Sequence, residues 1–449
     1  MNDSELVGTR CDANADAPCG TSGVLVCNPV SNRCELSGGA TGGGGATGGG
    51  ATGGGGGATG GGGGATGGGG GATGGGGATG GGGATGGGGG SPDAGPQSCG
   101  LYGGARRPVD AGASVLNCTS LEALPPPAGL NLVTGVAVDS TNTVYVVGVA
   151  QASGTAVLFR GEDSGVWTSL DTLSAVTFGS SLATPALPRV TIDGCDGLYW
   201  TAQEPHDGGT NWVIVSRTSG TRRVARVAGG TWASNVTVGT DGTLFCGGTF
   251  GPDAGVVMSR DRGLSWSPIV NLSVSEAASD LSAVSVTTSG EVISNICGEG
   301  PARWAVVSSQ SDAGSWVSSA QTLRMPGWSG GAAASPSGPS FVSGGNWDLW
   351  EVQADFGSGW ELVDTTTECF ASGMFSNELG VFSLGNCLDG GAVLRVSPNG
   401  QLGSWRSVSG PDAGSPRSYF AVTADSTGRV FVVGSASDAG LILRATCTN

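Results

Sequence analysis

The chain has a single histidine, His206, in the run QEPHDGG between Glu204 and Asp207. An imidazole among carboxylates can serve as a general base or a metal ligand once further groups converge on it. One histidine excludes a His-rich metal centre, and its place between two strand-like runs reads first as a solvated loop, so His206 stands as a ligand-binding candidate only. Asp193 and Asp196, in IDGCDG, have the oxygens for calcium. They lack the oxygen-ligand series of an EF-hand loop, and a hairpin turn is the better reading. There is no lysine, which rules out Schiff-base chemistry and lysine-activated nucleophiles. No G-x-S-x-G elbow, Walker loop or dinucleotide fingerprint stands out, so no cofactor and no metal is expected.

The charge balance bounds the partners. Thirty-five acidic residues face 19 basic ones, all arginine, for a net charge of -16. Nucleic acid and an anionic membrane surface are poor partners for such a chain. No apolar run approaches the length of a membrane span. The opening MNDSELVG has neither the charged start nor the apolar core of a signal peptide. Twelve cysteines nevertheless point to an oxidising compartment. The expectation is an exported protein, extracellular or at the cell surface, whose export signal is not in the sequence as given. Arg10 before Cys11 argues against a lipoprotein anchor there. Arginine without lysine and abundant glycine and alanine suit a bacterium with a GC-rich genome.

Three regions are expected. In 1–37, Cys11, Cys19, Cys27 and Cys34 fall in a segment too short to build a core, and two disulfides in one of three pairings would replace it. Their even spacing lacks the tight C-x2-4-C pairs of a zinc site. Region 38–97 is a Gly/Ala/Thr tract: 37 of the chain's 90 glycines lie between Gly38 and Gly90, broken by eight Ala-Thr pairs. No side chain there can bury much apolar area, so a flexible tether is expected, with a root-mean-square span of roughly 40 Å.

Region 98–449 is a series of short β-type runs with turn signals between them. VAVDSTNTVYVVG from Val136, VTVGTDGTLFCGG from Val236 and VTADSTGRVFVVG from Val422 share one form. Looser copies begin at Val190, Val284, Ala333 and Phe375, which sets the intervals at 54, 46, 48, 49, 42 and 47 residues. A period near 48 with four short strands per unit predicts a β-propeller. Strands A and B form the quoted hairpin, strand C is an apolar run such as GVVMSR, and strand D opens on tryptophan: Trp167, Trp266, Trp316, Trp360 and Trp405.

Between strands C and D of the third unit, Ser259, Asp261, Gly263 and Trp266 stand in the pattern S-x-D-x-G-x-x-W. This resembles the Asp-box (BNR) repeat of sialidase-like and sortilin-like propellers. Gly165 with Trp167 and Gly314 with Trp316 look like degenerate copies. The aspartate can accept hydrogen bonds from the turn's N–H groups, and the tryptophan can pack beneath it, so the box reads as a corner brace. If the resemblance extended to sialidase chemistry, it would imply a tyrosine nucleophile and arginines on a substrate carboxylate. The candidates are Tyr419, at the start of the seventh strand A, and Arg107, in Arg106-Arg107-Pro108.

Six complete units leave a seventh with only strands A to C. CTSLEAL (Cys118–Leu124) matches WTSLDTL (Trp167–Leu173) position for position, so the N-terminal strand should complete the last blade. Cys118 then takes the tryptophan's place, beside Cys447. A Cys118–Cys447 disulfide is expected, worth about 5 to 6 kcal/mol at most in the chain-entropy model. Cys369 with Cys387 and Cys246 with Cys297 are further pairs, and Cys99 and Cys195 are left by elimination.

The expected fold is therefore all-β: a seven-bladed propeller of four-stranded antiparallel blades, with a separate disulfide-rich module. The expected function is non-enzymatic recognition of an extracellular glycan or protein by a monomeric propeller. Trp328, Trp347 and Trp350, outside the strand D positions, are candidates for its binding face. The alternatives are a divergent sialidase-like glycosidase and a structural envelope component.

Overall fold

The computed structural model describes two short strands, 25–28 and 33–36, and the chain from 116 to 448 except 151–152, 163–164, 174–186, 207–208, 228–229, 251–252, 273–277, 299–302, 311–314, 324–327, 337, 346–348, 412–416 and 438. The chain divides into two units, Met1–Gly88 and Gly89–Asn449. In the first, Leu25–Asn28 pairs antiparallel with Arg33–Leu36, which sets Cys27 opposite Cys34. Cys11, Cys19, the glycine tract, Cys99 and Arg107 lie outside the described residues.

The second unit is a seven-bladed β-propeller. Seven antiparallel sheets follow one another in sequence. Blade one shows the pattern: Leu132–Val138, Val144–Ala150, Thr155–Gly161 and Trp167–Leu173 pair in simple up-and-down order. The A strands of blades two to seven are Arg189–Ile192, Gly230–Val238, Ala278–Val286, Trp328–Ala334, Cys369–Asn377 and Arg417–Ala424. They follow one another around a common axis, and the last packs back on Leu132–Val138 to close the ring.

Closure is supplied by the start of the unit. Asn117–Cys118 and Glu122–Leu124 both pair with Ala439–Thr448, the third strand of blade seven. Cys118 lies opposite Cys447, and a disulfide joins them across 4.0 Å between Cα atoms. Leu116 and Leu121, buried beside this strand, join the core between blades six and seven. A second disulfide ties Cys369 to Cys387 across the A–B pair of blade six. Cys195 also stands in a disulfide.

The sheets pack face to face, and apolar side chains alternate between the two faces of each. Tyr145, Val147 and Leu158 of blade one meet Trp200, Val213 and Val215 of blade two in one buried cluster. The tryptophans that open strand D are the recurrent wedge. Trp316 of blade four meets Phe245 of blade three edge to face, with centroids 5.8 Å apart. Trp266, Trp360 and Trp405 likewise pack against buried side chains of the preceding blade.

Two sequence expectations change here. Cys246 is a free, fully buried thiol rather than the partner of Cys297. Its strand presents alternate residues to opposite neighbours. Cys246 packs with Tyr199 and Ile214 of blade two, whereas a Cβ at Gly247 would run into Val284 and Leu281 of blade four. The thiol thus points away from blade four, where Cys297 lies on Val292–Gly298. Trp350 is not exposed: at 1% exposure its ring lies over Gly385 of blade six.

Candidate functional site

At one end of the ring, where A meets B and C meets D, acidic side chains hold the turns. Asp139 Oδ1 accepts from the N–H groups of Thr141 and Thr143, both at 2.9 Å. Asp193 Oδ1 does the same for Cys195 and Gly197, and Asp425 Oδ1 for Thr427 and Arg429. All three carboxylates are buried. Thr287 and Gly239 occupy the equivalent place in blades four and three, each with the backbone bonds of the same turn. The fourth turn residue sits in the left-handed region in several blades, with φ of 64° at Asn142, 56° at Asp196, 82° at Gly242 and 91° at Gly428.

The second oxygen of each buried carboxylate takes a longer side chain. Tyr145 donates its hydroxyl to Asp139 Oδ2 at 3.0 Å, and Tyr199 donates to Asp193 Oδ2 at 2.7 Å. Burial, then the adjacent Asp139 charge and hydrogen bond, push the Tyr145 phenol up to about 12. Burial and the Asp193 hydrogen bond raise Tyr199 as well. Arg262, from the S-x-D-x-G-x-x-W turn of blade three, completes the group by donating to Asp193 Oδ2 at 2.9 Å. These phenols are braced donors, ill-suited to deprotonation.

The turn of blade three itself is held by Asp261. Oδ1 accepts from the N–H groups of Leu264 and Ser265 at 3.0 and 2.9 Å and from Ser259 Oγ at 2.7 Å. The Gly263 N–H donates to Ser259 Oγ at 2.8 Å, with Gly263 at φ 82°. Burial acts to raise the Asp261 pKa, but the hydrogen bonds from Ser265, Ser259 and Leu264 outweigh it and hold the group below the usual carboxylate range.

The other candidates are dispersed. His206 ends the strand Leu198–His206 and pairs in register with Gly209, so the ladder reaches His206 where the sequence suggested a loop. Glu204 is engaged by Arg226 at 2.9 Å. Tyr419 is 1% exposed, the Arg417 side chain hydrogen-bonds to it, and burial raises its phenol. Its backbone is clamped by Asn386, whose Nδ2 donates to Tyr419 O at 3.1 Å and whose Oδ1 accepts from Tyr419 N at 2.6 Å. Trp328 starts strand A of blade five, opposite Gly345, and Trp347 lies outside the described residues. Among the described residues no group of three or more His, Cys, Asp or Glu could hold a metal ion, and no helix is long and apolar enough to cross a membrane.

The residue that sequence reasoning missed is Arg189. In six blades strand A has a register shift at its midpoint, around Thr134, Ser234, Ser282, Gly330, Ser372 and Phe420. Such bulges leave a residue unpaired in the ladder. Strand A of blade two begins at this level with Arg189. Its Nη1 donates to the carbonyl of Thr134 at 2.8 Å and to that of Phe420 at 2.5 Å, so one guanidinium bridges the innermost strands of blades two, one and seven. Thr134 Oγ1 answers by donating to Pro188 O at 2.7 Å. A side chain that spans three A strands runs along the inner wall of the ring. The side chain is partly accessible there, yet so enclosed that burial lowers its pKa to about 10. The available signal was the residue before each repeat: Gly135, Asn235, Ala283, Ala332, Met374 and Ala421 elsewhere, arginine only in blade two.

No protein-family model and no curated protein matches the chain. Solved structures do. A catalytically inactive virginiamycin B lyase from Staphylococcus aureus, determined with quinupristin, aligns with a TM-score of 0.52 at 10% identity, over 74% of this chain and 99% of that one. A streptogramin B lyase aligns at 0.49 and 10% identity, over 74% and 98%. YCF48 bound to D1 peptide aligns at 0.49 and 14%, over 74% and 96%. At such identities the likeness is one of fold: a seven-bladed β-propeller.

Proposed function

We propose that this chain is an exported recognition module, whose propeller binds a glycan or protein ligand outside the cell or at its surface. One observation carries the reading. Phenols and carboxylates of the described ring are committed to bracing: Tyr145 to Asp139, Tyr199 and Arg262 to Asp193, and Asp261 to its own turn. Groups held this way make the ring rigid, and a rigid ring loses little conformational entropy when a ligand docks. By the up-and-down order of each blade, strands A and C start and strands B and D end at the opposite end of the ring from these braces, and that end is left for recognition. The disulfides Cys118–Cys447 and Cys369–Cys387 favour an oxidising location. The four N-terminal cysteines and the glycine tract would serve as a small module and a tether.

The test is a glycan-array screen of the full chain produced under oxidising conditions, with hydrolysis of fluorogenic sialosides followed on the same preparation. Selective, saturable binding without turnover supports recognition. Turnover overturns it in favour of a sialidase-like hydrolase.

A further inference from the structure

Arg189 carries more cationic capacity than its contacts consume. A guanidinium has five N–H donors in a fixed fork. The two on Nη1 reach the Thr134 and Phe420 carbonyls. The three on Nε and Nη2 meet no acceptor among the described residues, and no carboxylate among them pairs with the group.

The carboxylates nearest along the chain to Arg189 and to its two carbonyl partners are committed elsewhere. The acidic residues nearest along the chain are Asp171 and Asp193. Asp171 takes Arg222 at 2.8 Å and Arg217 at 3.6 Å, and Asp193 takes Arg262 at 2.9 Å. The connection 174–186 that leads to Arg189 contains no acidic residue at all. Asp139 and Asp425 are bound into the turns that end the strands of Thr134 and Phe420.

The side chain is half-buried, and a charge enclosed to that degree without a counter-charge favours an anion as partner. Elsewhere in the ring the arginines found close to a carboxylate lie on the outer strands or in turns, as with Arg395 and Asp364 or Arg226 and Glu204. Arg189, on the innermost strand of blade two, has only carbonyls as partners among the described residues. Those carbonyls belong to bulged residues, so they fix the fork in place without neutralising it. The free edge of the fork, Nε with Nη2, has the spacing that takes two oxygens of one planar or tetrahedral anion side by side.

We propose that Arg189 marks an oxyanion site inside the propeller channel, which takes one carboxylate, sulfate or phosphate group through Nε and Nη2. This deepens the recognition reading and rests on it: the anion is the acidic group of the ligand, and a free inorganic anion occupies the same place in its absence.

The first experiment is calorimetric and thermal titration of the full chain with sodium sulfate, against sodium chloride at equal ionic strength. The wild type is expected to show saturable heat and a saturable rise in Tm with sulfate beyond that with chloride. Both are lost in Arg189→Gln. In Arg189→Lys, which keeps the charge but loses the fork, affinity falls about tenfold. An unsaturable response in the wild type, or the same sulfate response in Arg189→Gln, is the general salting effect of sulfate on any fold and overturns the site.

Arg189→Gln also removes the bridge between three blades. Should it fail to fold, the wild type labelled with 15N-arginine decides. One Nε–Hε resonance, absent in Arg189→Lys, moves saturably with sulfate if the site exists and stays still if it does not. Any acidic ligand found on the array is then displaced by sulfate if its acidic group is the natural occupant, whereas indifference to sulfate assigns the site to the free anion. Failure of the anion site leaves array binding by the wild type untouched, so the two readings fail separately.

Discussion

Arg262, in a turn of blade three, donates from Nη2 to Asp193 Oδ2 of blade two at 2.9 Å, on the same oxygen that receives the Tyr199 hydroxyl at 2.7 Å. The other oxygen of Asp193 closes its own A–B turn. One carboxylate, 1% exposed, thus joins a turn, a core tyrosine and the next blade. Asp193→Ala strands all these donors and is expected to cost about 3–5 kcal/mol. Arg262 is one-third exposed, so Arg262→Met should cost only about 1 kcal/mol. Denaturant titration of both and of the double variant checks this. If the brace exists, the double variant costs less than the two single losses added together.

The repeat was readable because strands A and B and their turn are local in sequence. Asp139, Asp193 and Asp425 carry the same turn chemistry, so a single hairpin announces itself three times. The closing strand was readable for a related reason, since CTSLEAL copies a strand D, and it does pair with Ala439–Thr448. Arg189 was not, because its partners lie 55 and 231 residues away and meet only when the ring closes. Nor was the direction of Cys246, which depends on which face of its strand looks toward blade two. Trp350 misled for the same reason.

The two disulfides differ in what they restrain. Cys118–Cys447 closes a separation of 329 residues, and Cys369–Cys387 one of 18. In the chain-entropy model these are worth about 5–6 and about 3 kcal/mol respectively. Replacing Cys118 and Cys447 together by alanine is therefore expected to lower the unfolding free energy more than replacing Cys369 and Cys387. Equal losses in guanidinium titrations would mean that the ring closes without its clasp.

Asp261 gives the C–D turn of blade three a pH dependence. Its folded pKa lies below the usual value, so its contribution is full above about pH 4 and is lost as pH falls through the folded pKa. The group is largely solvated, which limits the effect to the order of 1 kcal/mol. Urea midpoints of the wild type and Asp261→Ala should differ by a constant amount from pH 7 to about 5 and converge below about 4. A gap that persists at pH 2 would show that the neutral acid braces the turn equally well.

Trp350 makes a steric claim on blade six. A Cβ at Gly385 would sit 2.5 Å from its ring, so Gly385→Ala is expected to destabilise by about 1–3 kcal/mol. Trp350→Ala should cost about 3–5 kcal/mol as a core deletion. Both losses appear in denaturant midpoints. A Trp350→Ala variant of wild-type stability with impaired ligand binding would return this residue to a binding face.

Cys246 offers a chemical readout of the blade interface. It is fully buried among Tyr199, Ile214 and Val257, and burial raises its thiol pKa far above the ordinary value. The thiolate is the reactive form, so both its accessibility and its ionisation are suppressed in the folded ring. Iodoacetamide at pH 8 should leave the peptide containing Cys246 unmodified in the native protein and alkylate it fully in guanidinium. Its labelling rate across denaturant should follow unfolding of the propeller. Rapid native labelling, at a rate independent of denaturant, would mean that blades two and three part without unfolding. In that case the Arg262–Asp193 brace would not hold them together.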